Sequence, residues 1–479
     1  MNLPKRIHII GICGVATSAL GIAFKNAGVK VTGSDKGFFP PVSTELEKAG
    51  IPFYAGWHPE KMCSAEHAGG GAMDDTPDFV IAGGSGTSAS NPETLYANEK
   101  GIPVISFAEA LGKYVVRKNS IVCAGTWGKT TISALLSFIL SEAGMRPGYF
   151  SGGVSLSHPS AALSDSDWSV VEGDEYQVSI SDHRPKFAYY SPTHLLLTSV
   201  SWDHADLYPT EKDYFDAFEK LVGEVPGNGH IVACIDDAGV QKTLKNAGLA
   251  TAGPKVATYG HAESADYSYH SLAQTKNGLH FQISNKDECY EIISPMLGGF
   301  NAQNMTAAFA MARTIGIPAD KIIAAIRSFK GIKRRFEKRL DGDITVFDCH
   351  APTPEKAAAC LKELRSIYTG KIIAVYEPNI GGREREAAAK YDNAFKDADV
   401  VIIPRLTKLK VAEDDSNQPM EGPELAAIIS KTHKDCRYIE DDAKLVETAV
   451  SQAKKGDIIV FLGSHGFRGM IEETVKKLG

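Results

Sequence analysis

Gly125-Thr126-Trp127-Gly128-Lys129-Thr130-Thr131 follows the apolar run Ile121 to Ala124 and opens the helical stretch Ile132 to Ala143. Strand, glycine-rich turn and helix in that order make a phosphate-binding loop, because backbone N–H groups backed by a helix N-terminus can surround phosphate oxygens. Lys129 is placed to pair with β and γ phosphates and the Thr130 hydroxyl to reach Mg²⁺, with Gly125, Thr126, Gly128 and Thr131 completing the loop. The common form of the pattern starts with a further glycine, and Cys123 stands at that position. The segment predicts binding of ATP with Mg²⁺.

Upstream of the loop, Ile7 to Ile10 leads into the turn Gly11-Ile12-Cys13-Gly14 and a helical stretch from Ser18 to Ala27. Val29 to Thr32 then runs into Gly33-Ser34-Asp35, and further short apolar runs lie at Phe79 to Ala82 and Val104 to Ser106. Downstream, Ser169 to Glu172 and Leu195 to Ser199 read as strands, Gln303 to Thr314 and Ala319 to Phe329 as helices. A last series of strands reads at Ile344 to Asp348, Ile372 to Tyr376, Val400 to Ile403 and Ile458 to Leu462. Short apolar strands alternating with helices predict an α/β fold on parallel sheets.

At roughly 100 to 200 residues per domain, a chain of 479 residues makes about three domains. The basic stretches around Arg117-Lys118 and Lys333-Arg334-Arg335 mark the joins, giving domains at 1–118, 119–338 and 339–479. Gly69-Gly70-Gly71 reads as a loop.

A net charge of −7 argues against a dedicated nucleic-acid binder, while leaving room for small anions at a local basic site. The eight cysteines are scattered without metal-ligand spacing and read as reduced thiols. The N-terminal segment has no signal-peptide pattern and no apolar run approaches the ~20 residues of a membrane span, so a cytoplasmic protein without a membrane partner is expected.

Mg²⁺ calls for oxygen or imidazole ligands at neighbouring strand ends. Glu172-Gly173-Asp174-Glu175 and Asp203-His204-Ala205-Asp206 both follow predicted strands, which lifts them above ordinary solvated acidic loops. The first glycine turn is compatible with a dinucleotide, yet Cys13 and Ala16 stand where a dehydrogenase fingerprint has its second and third glycines, and a nucleotide sugar is preferred. Asp35 can accept from a ribose or sugar hydroxyl in either case.

These segments together resemble the Mur ligase family, whose phosphate loop reads G-T-x-G-K-T-T, and the resemblance spans nearly the whole chain. It implies a three-domain α/β architecture: a Rossmann-like nucleotide-sugar domain, a central phosphate-loop ATPase domain and a C-terminal Rossmann-like domain. It implies a UDP-sugar site at Gly11, Gly14, Ser18, Ser34 and Asp35, and metal ligation by Thr130, Glu172 and His204. Asn301 and Asn304 resemble the adenine-side asparagines, Arg334-Arg335-Phe336 the element in which an arginine reaches the γ-phosphate, and Asp348 a further ATP-side position. Lys129, Glu172, His204 and Arg335 are the implied catalytic set, with Lys220 a weak candidate for carbamylation. The implied reaction joins the carboxylate of UDP-N-acetylmuramate to the amine of an amino acid or cell-wall peptide through an acyl phosphate.

Pro40-Pro41-Val42-Ser43-Thr44 after Gly33-Ser34-Asp35, Glu172 to Tyr176, and Ser464-His465-Gly466-Phe467-Arg468-Gly469 resemble the family's peptide-recycling branch more than its L-alanine-adding branch. Departures fall close to the chemistry. Trp127 and Phe300 replace histidines, Ser199 and Ser201 replace Asn and Glu, and Pro352 and Thr353 replace two histidines after Asp348. His350, Thr353, Arg383, Ser464 and His465 are the remaining candidates for an acceptor's carboxylates, with Arg383 favoured for its bidentate fork. A divergent paralogue that binds without ligating, and a family enzyme acting on folate or an amino-acid polymer, are the competing readings.

Overall fold

The computed structural model describes residues 2–38, 42–63, 76–84, 90–249, 253–408 and 418–479. Pro40, Pro41 and Gly69 to Gly71 of the segments quoted above lie outside them. Contacts divide the chain into two compact units, one of Met1–Leu272, Phe281–Ser294 and Ala302–Lys330, the other of Ala273–His280, Pro295–Asn301 and Gly331–Gly479.

The first unit carries a five-stranded parallel sheet ordered Phe53–Ala55, Lys30–Asp35, Arg6–Ile10, Phe79–Ala82, Val104–Ser106. Strand order reverses between Arg6–Ile10 and Phe79–Ala82, and such a reversal opens a crevice at the carboxyl ends of the two strands. Gly11 and Gly83 stand at those ends, with Gly83 N–H donating to the Ile10 carbonyl (2.8 Å).

The same unit carries the core of a ten-stranded sheet. At its centre Asn119–Ala124 lies between His194–Leu197 and Trp168–Gly173, all parallel. Ile121 to Ala124 are fully buried, as a strand covered on both faces requires. The helix Lys129–Glu142 is buried from Thr130 through Leu140, and its interior serines donate back to helix carbonyls, Ser133 to Thr130 and Ser137 to Ala134. Four strands from Lys255–Gly260 to Glu288–Ser294 extend the sheet where the sequence offered no buried apolar run. Tyr267–Thr275 has no fully buried residue, which is why apolar patterning does not reveal it.

The second unit is built on a six-stranded sheet ordered Glu337–Asp341, Thr345–Cys349, Ile458–Gly463, Ile372–Glu377, Val400–Pro404, Cys436–Ile439. Only the first pair is antiparallel.

Glu93 is wholly buried at the start of the helix Pro92–Glu99. Its carboxylate accepts from Ser34 Oγ (2.5 Å), Tyr54 OH (2.7 Å) and His58 N–H (2.8 Å), tying two strands and a helix together. Burial alone would raise its pKa, but hydrogen bonds from His8, Ser34 and His58 outweigh that and hold it below the ordinary value. Glu93→Gln should therefore cost ~2 kcal/mol of stability near neutrality, since the amide cannot accept from all three donors. A carboxyl whose folded pKa is depressed stabilises above its unfolded value of about 4.3 and loses that contribution as pH falls through the folded value. The gap in thermal midpoint between variant and wild type should narrow below about pH 4; a gap that widens on acidification would contradict this account.

Candidate active site

The phosphate loop is fixed by the segment after the strand His194–Leu197. Thr126 N–H donates to Ser199 O (2.9 Å), Trp127 N–H to Ser199 Oγ (3.0 Å), and Thr198 Oγ1 to Trp127 O (2.6 Å). Thr126 Oγ1 accepts from Ser201 N–H (2.9 Å) and lies 3.0 Å from Tyr214 OH. The Thr126 side chain thus anchors the loop, and Ser199 and Ser201, which depart from the family pattern, supply the anchoring atoms. Gly125 has φ 137° and a Cβ there would lie 2.1 Å from Thr198 Oγ1. Gly128, at φ 85°, presses against Asn304, whose Oδ1 would be 2.7 Å from an added Cβ. Asn304 accordingly sits at the loop, while Trp127 is 57% exposed.

Lys129 folds back on its own loop. Its Nζ donates to Gly125 O (2.5 Å) and Thr126 O (3.3 Å) and lies 2.8 Å from Glu175 Oε2 and 3.0 Å from Glu175 Oε1. Glu175 is 2% exposed, and its backbone carbonyl accepts from Tyr208 OH (2.6 Å). His204, at φ 54°, brings Nε2 to 3.5 Å from Glu175 Oε1, and that contact is the main reason its pKa is raised above the ordinary imidazole value. Glu175 is a site residue to which the sequence alone assigns no role. Only the fold shows that it faces both the Lys129 ammonium and the His204 imidazole.

Glu172 makes a separate cluster. Its Oε1 accepts from Thr130 Oγ1 (2.9 Å) and its Oε2 from Gly152 N–H (2.5 Å). The set expected for a metal is therefore divided: Thr130 and Glu172 meet, whereas His204 faces Glu175. Lys220 is exposed on the helix Glu211–Gly223 beside Glu224, away from this cluster's contacts.

A cleft of about 730 Å³ in the first unit joins the sheet reversal to this cluster, with Gly11, Gly14, Asp35 and Gly83 on one side and Glu172 and Lys186 on the other. Asp35 Oδ2 accepts Cys13 N–H (2.8 Å), which fixes the glycine turn and leaves acceptor capacity toward the cleft. Ser18 and Ser34, expected there, do not line it. Ser18 Oγ donates to Val15 O (3.0 Å) and Ser34 Oγ to the buried Glu93. The far wall comes from residues between Phe150 and Tyr190, so a fragment ending at residue 118 would carry only half of the cleft.

In the second unit, Arg334 (φ 62°) donates to the carbonyls of Gly463 (2.9 Å), Ser464 (2.7 Å) and His465 (2.8 Å), and to Asp348 Oδ1 (3.3 Å). His350 N–H donates to Arg334 O (2.5 Å). Arg334 therefore gathers His350, Ser464 and His465 around one end of the sheet. Asp348 is 2% exposed; burial raises its pKa, and Arg334 and Arg339 beside it act in the opposite sense. Arg335 is exposed, and Asn301 is buried with Nδ2 donating to Leu297 O (2.7 Å).

Three family models match the chain in succession: Mur ligase family, catalytic domain, over residues 6–119; Mur ligase middle domain over 123–312; and Mur ligase, glutamate ligase domain, over 334–465. This chain belongs to the Mur ligase family. UDP-N-acetylmuramate--L-alanine ligase of Rhizobium etli is 30% identical, covering 100% of this chain and 98% of that protein. UDP-N-acetylmuramate--L-alanyl-gamma-D-glutamyl-meso-2,6-diaminoheptandioate ligase of Escherichia coli is also 30% identical, covering 99% and 98%. The murein peptide ligase structure from Psychrobacter arcticus aligns with a TM-score of 0.66 at 25% identity, covering 99% of both chains. The UDP-N-acetylmuramate-alanine ligase structure from Thermotoga maritima aligns at 0.76 and 22% identity, covering 99% of both. The chain is thus an ATP-dependent, ADP-forming ligase of the three-domain Mur architecture. No helix among the described residues is long and apolar enough to cross a membrane.

Within this Mur ligase two expected acceptor residues have other partners. Arg383 is 2% exposed, and its guanidinium donates to Met420 O (3.0 Å), Thr407 O (2.8 Å) and Glu421 Oε1 (2.6 Å). Its fork is occupied by these internal acceptors. Thr353 caps the helix Pro354–Ile367 by accepting Lys356 N–H.

Lys129→Ala should abolish phosphate release, and it should also lower the thermal midpoint, because the buried Glu175 loses its nearer cation. Adding Glu175→Gln to that variant should recover most of the midpoint without restoring turnover. Turnover surviving in Lys129→Ala, or no stability coupling between the two sites, would refute the pairing.

Proposed function

We propose that this Mur ligase joins the carboxylate of UDP-N-acetylmuramate to the amine of a cell-wall peptide, L-alanyl-γ-D-glutamyl-meso-diaminopimelate, in cytoplasmic peptidoglycan recycling. The observation that carries the reading is the single cleft running from the glycine turns beside Asp35 to Glu172, the partner of the phosphate-loop Thr130. A donor whose nucleotide lies at the turns would present its sugar-borne acid toward the ATP side. Domain boundaries near residues 118 and 338 suit this division of labour.

Thr130 Oγ1 and Glu172 Oε1, 2.9 Å apart, are an all-oxygen pair of the kind Mg²⁺ takes, so the residues fit that ion. Mg²⁺ would neutralise charge on the transferring phosphoryl group. Lys129 exchanges Glu175 for the β and γ phosphates, and His204 remains as the partner beside Glu175. The helix Lys129–Glu142 directs its N-terminus at the same phosphates. A carboxylate oxygen of the donor attacks the γ-phosphorus as the bond to the β-phosphate oxygen breaks, releasing ADP. The acceptor amine then attacks the acyl carbon, phosphate leaves, and the amine's proton passes to solvent. The family resemblance implies that an arginine of the Arg334-Arg335 pair reaches the γ-phosphate, and we assign that role to Arg335 as part of this proposal.

The peptide acceptor is favoured by the segments that resemble the recycling branch and by the E. coli relative. Addition of L-alanine is the second reading, supported by the R. etli relative at the same identity. Phosphate release measured with each acceptor should be faster with the tripeptide than with free L-alanine. Rapid turnover with L-alanine and none with tripeptide would reverse the assignment.

A further inference from the structure

The cleft is poor in positive charge. Among the described residues that line it, Asp35, Glu172 and Asp174 are acidic and Lys186 alone is basic. The donor proposed above is an anion at both ends, with a diphosphate and a sugar-borne carboxylate. Burying such a molecule among carboxylates without a cation is strongly unfavourable. The glycine turn and the N-terminus of the helix Val15–Asn26 suit the diphosphate. Glu172 is engaged by Thr130 and Gly152. On the wall that faces the acid, the positive charge comes from Lys186.

The fold holds this lysine in place. Its N–H donates to Tyr176 O (3.0 Å) and it opens the short 3₁₀ turn Lys186–Tyr189. Its Nζ lies 2.6 Å from Asp174 Oδ2 and 5.3 Å from the centre of the Tyr176 ring. Asp174 is itself fixed through Oδ1, which accepts Tyr176 N–H (2.9 Å). The Lys186 side chain remains 21% exposed, toward a cleft it lines. An ammonium has three donors, so it can take a second carboxylate while keeping Asp174.

We propose that Lys186 binds the carboxylate of the sugar donor and thereby selects an acid-bearing nucleotide sugar over its neutral counterpart. The inference rests on the donor reading given under the proposed function. Calorimetry on the full chain tests it with two probes: UDP-N-acetylmuramate, and UDP-N-acetylglucosamine, which lacks the lactyl acid. Lys186→Ala should weaken the first about tenfold or more and change the second by less than about twofold, as expected for loss of one charged hydrogen bond. Lys186→Arg should restore the first to within about threefold. Lys186→Gln gives the same readout should the alanine variant fold poorly. Equal losses for both probes would assign the ammonium to the diphosphate and overturn the inference, as would no loss for either. Wild-type protein that binds neither probe would overturn the donor reading and this inference with it.

Discussion

A buried carboxylate holds the phosphate loop in its resting form. Glu175 is almost wholly shielded, and such a group is tolerated only where cations meet it. Lys129 supplies one from the helix that opens at the loop, and the His204 imidazole, from the segment after a neighbouring strand, lies beside the same carboxylate. The same segment, through Thr198, Ser199 and Ser201, fastens the loop backbone. Loop, lysine and imidazole are thus set by one short stretch following Leu197, and changing that stretch shifts all three. Ser199 uses both its backbone oxygen and its hydroxyl to hold the turn.

The loop also explains why an incomplete motif still works. Cys123, where the common pattern has glycine, lies within the strand Asn119–Ala124 and pairs in register with Glu172. It is fully buried, and burial raises its thiol pKa well above the ordinary range, so it is a packing residue and not a reactive one. The turn that needs glycine begins two residues later, at Gly125. A strand continued to residue 124 carries Glu172, on the adjacent strand, level with the start of the loop, and the Thr130–Glu172 contact follows from that register.

What was legible in the sequence was what depends on type and order along the chain. Runs such as Ile121 to Ala124 and Ile458 to Leu462 announce strands covered on both faces, and they were found within a residue or two of their ends. The half-exposed strands between residues 255 and 294 lack that signature and went unread. At the site, the phosphate loop and Glu172 could be named from spacing, but the partners of an arginine could not. Arg383 is 24 residues from Thr407 and 37 from Met420, whose carbonyls fill its fork. Arg334 is similarly occupied by carbonyls about 130 residues on, from Gly463 to His465. Ser34 shows the same limit in a smaller group, its hydroxyl turned to Glu93 across 59 residues. A side chain's chemistry can be read from its letter; whether its donors are already satisfied depends on contacts that only folding creates.

The two carboxylates of the central segment divide their work by environment. Glu172 accepts from a threonine hydroxyl and a backbone N–H, and its oxygens beside the Thr130 hydroxyl are of the kind a hard cation takes. Glu175, three residues on, is already paired with an ammonium and lies beside a histidine whose pKa it raises. A metal drawn to Glu175 would have to displace a covalently tethered cation, whereas at Glu172 it meets a carboxylate with the Thr130 hydroxyl oxygen already in place. Arrival of a triphosphate changes the balance at Glu175, because several phosphate oxygens compete for Lys129 with one carboxylate. His204 would then be the neighbour left beside Glu175 in its buried position. Its place beside Glu175, apart from the Thr130–Glu172 pair, would leave the buried carboxylate a partner if the lysine turned to a phosphate.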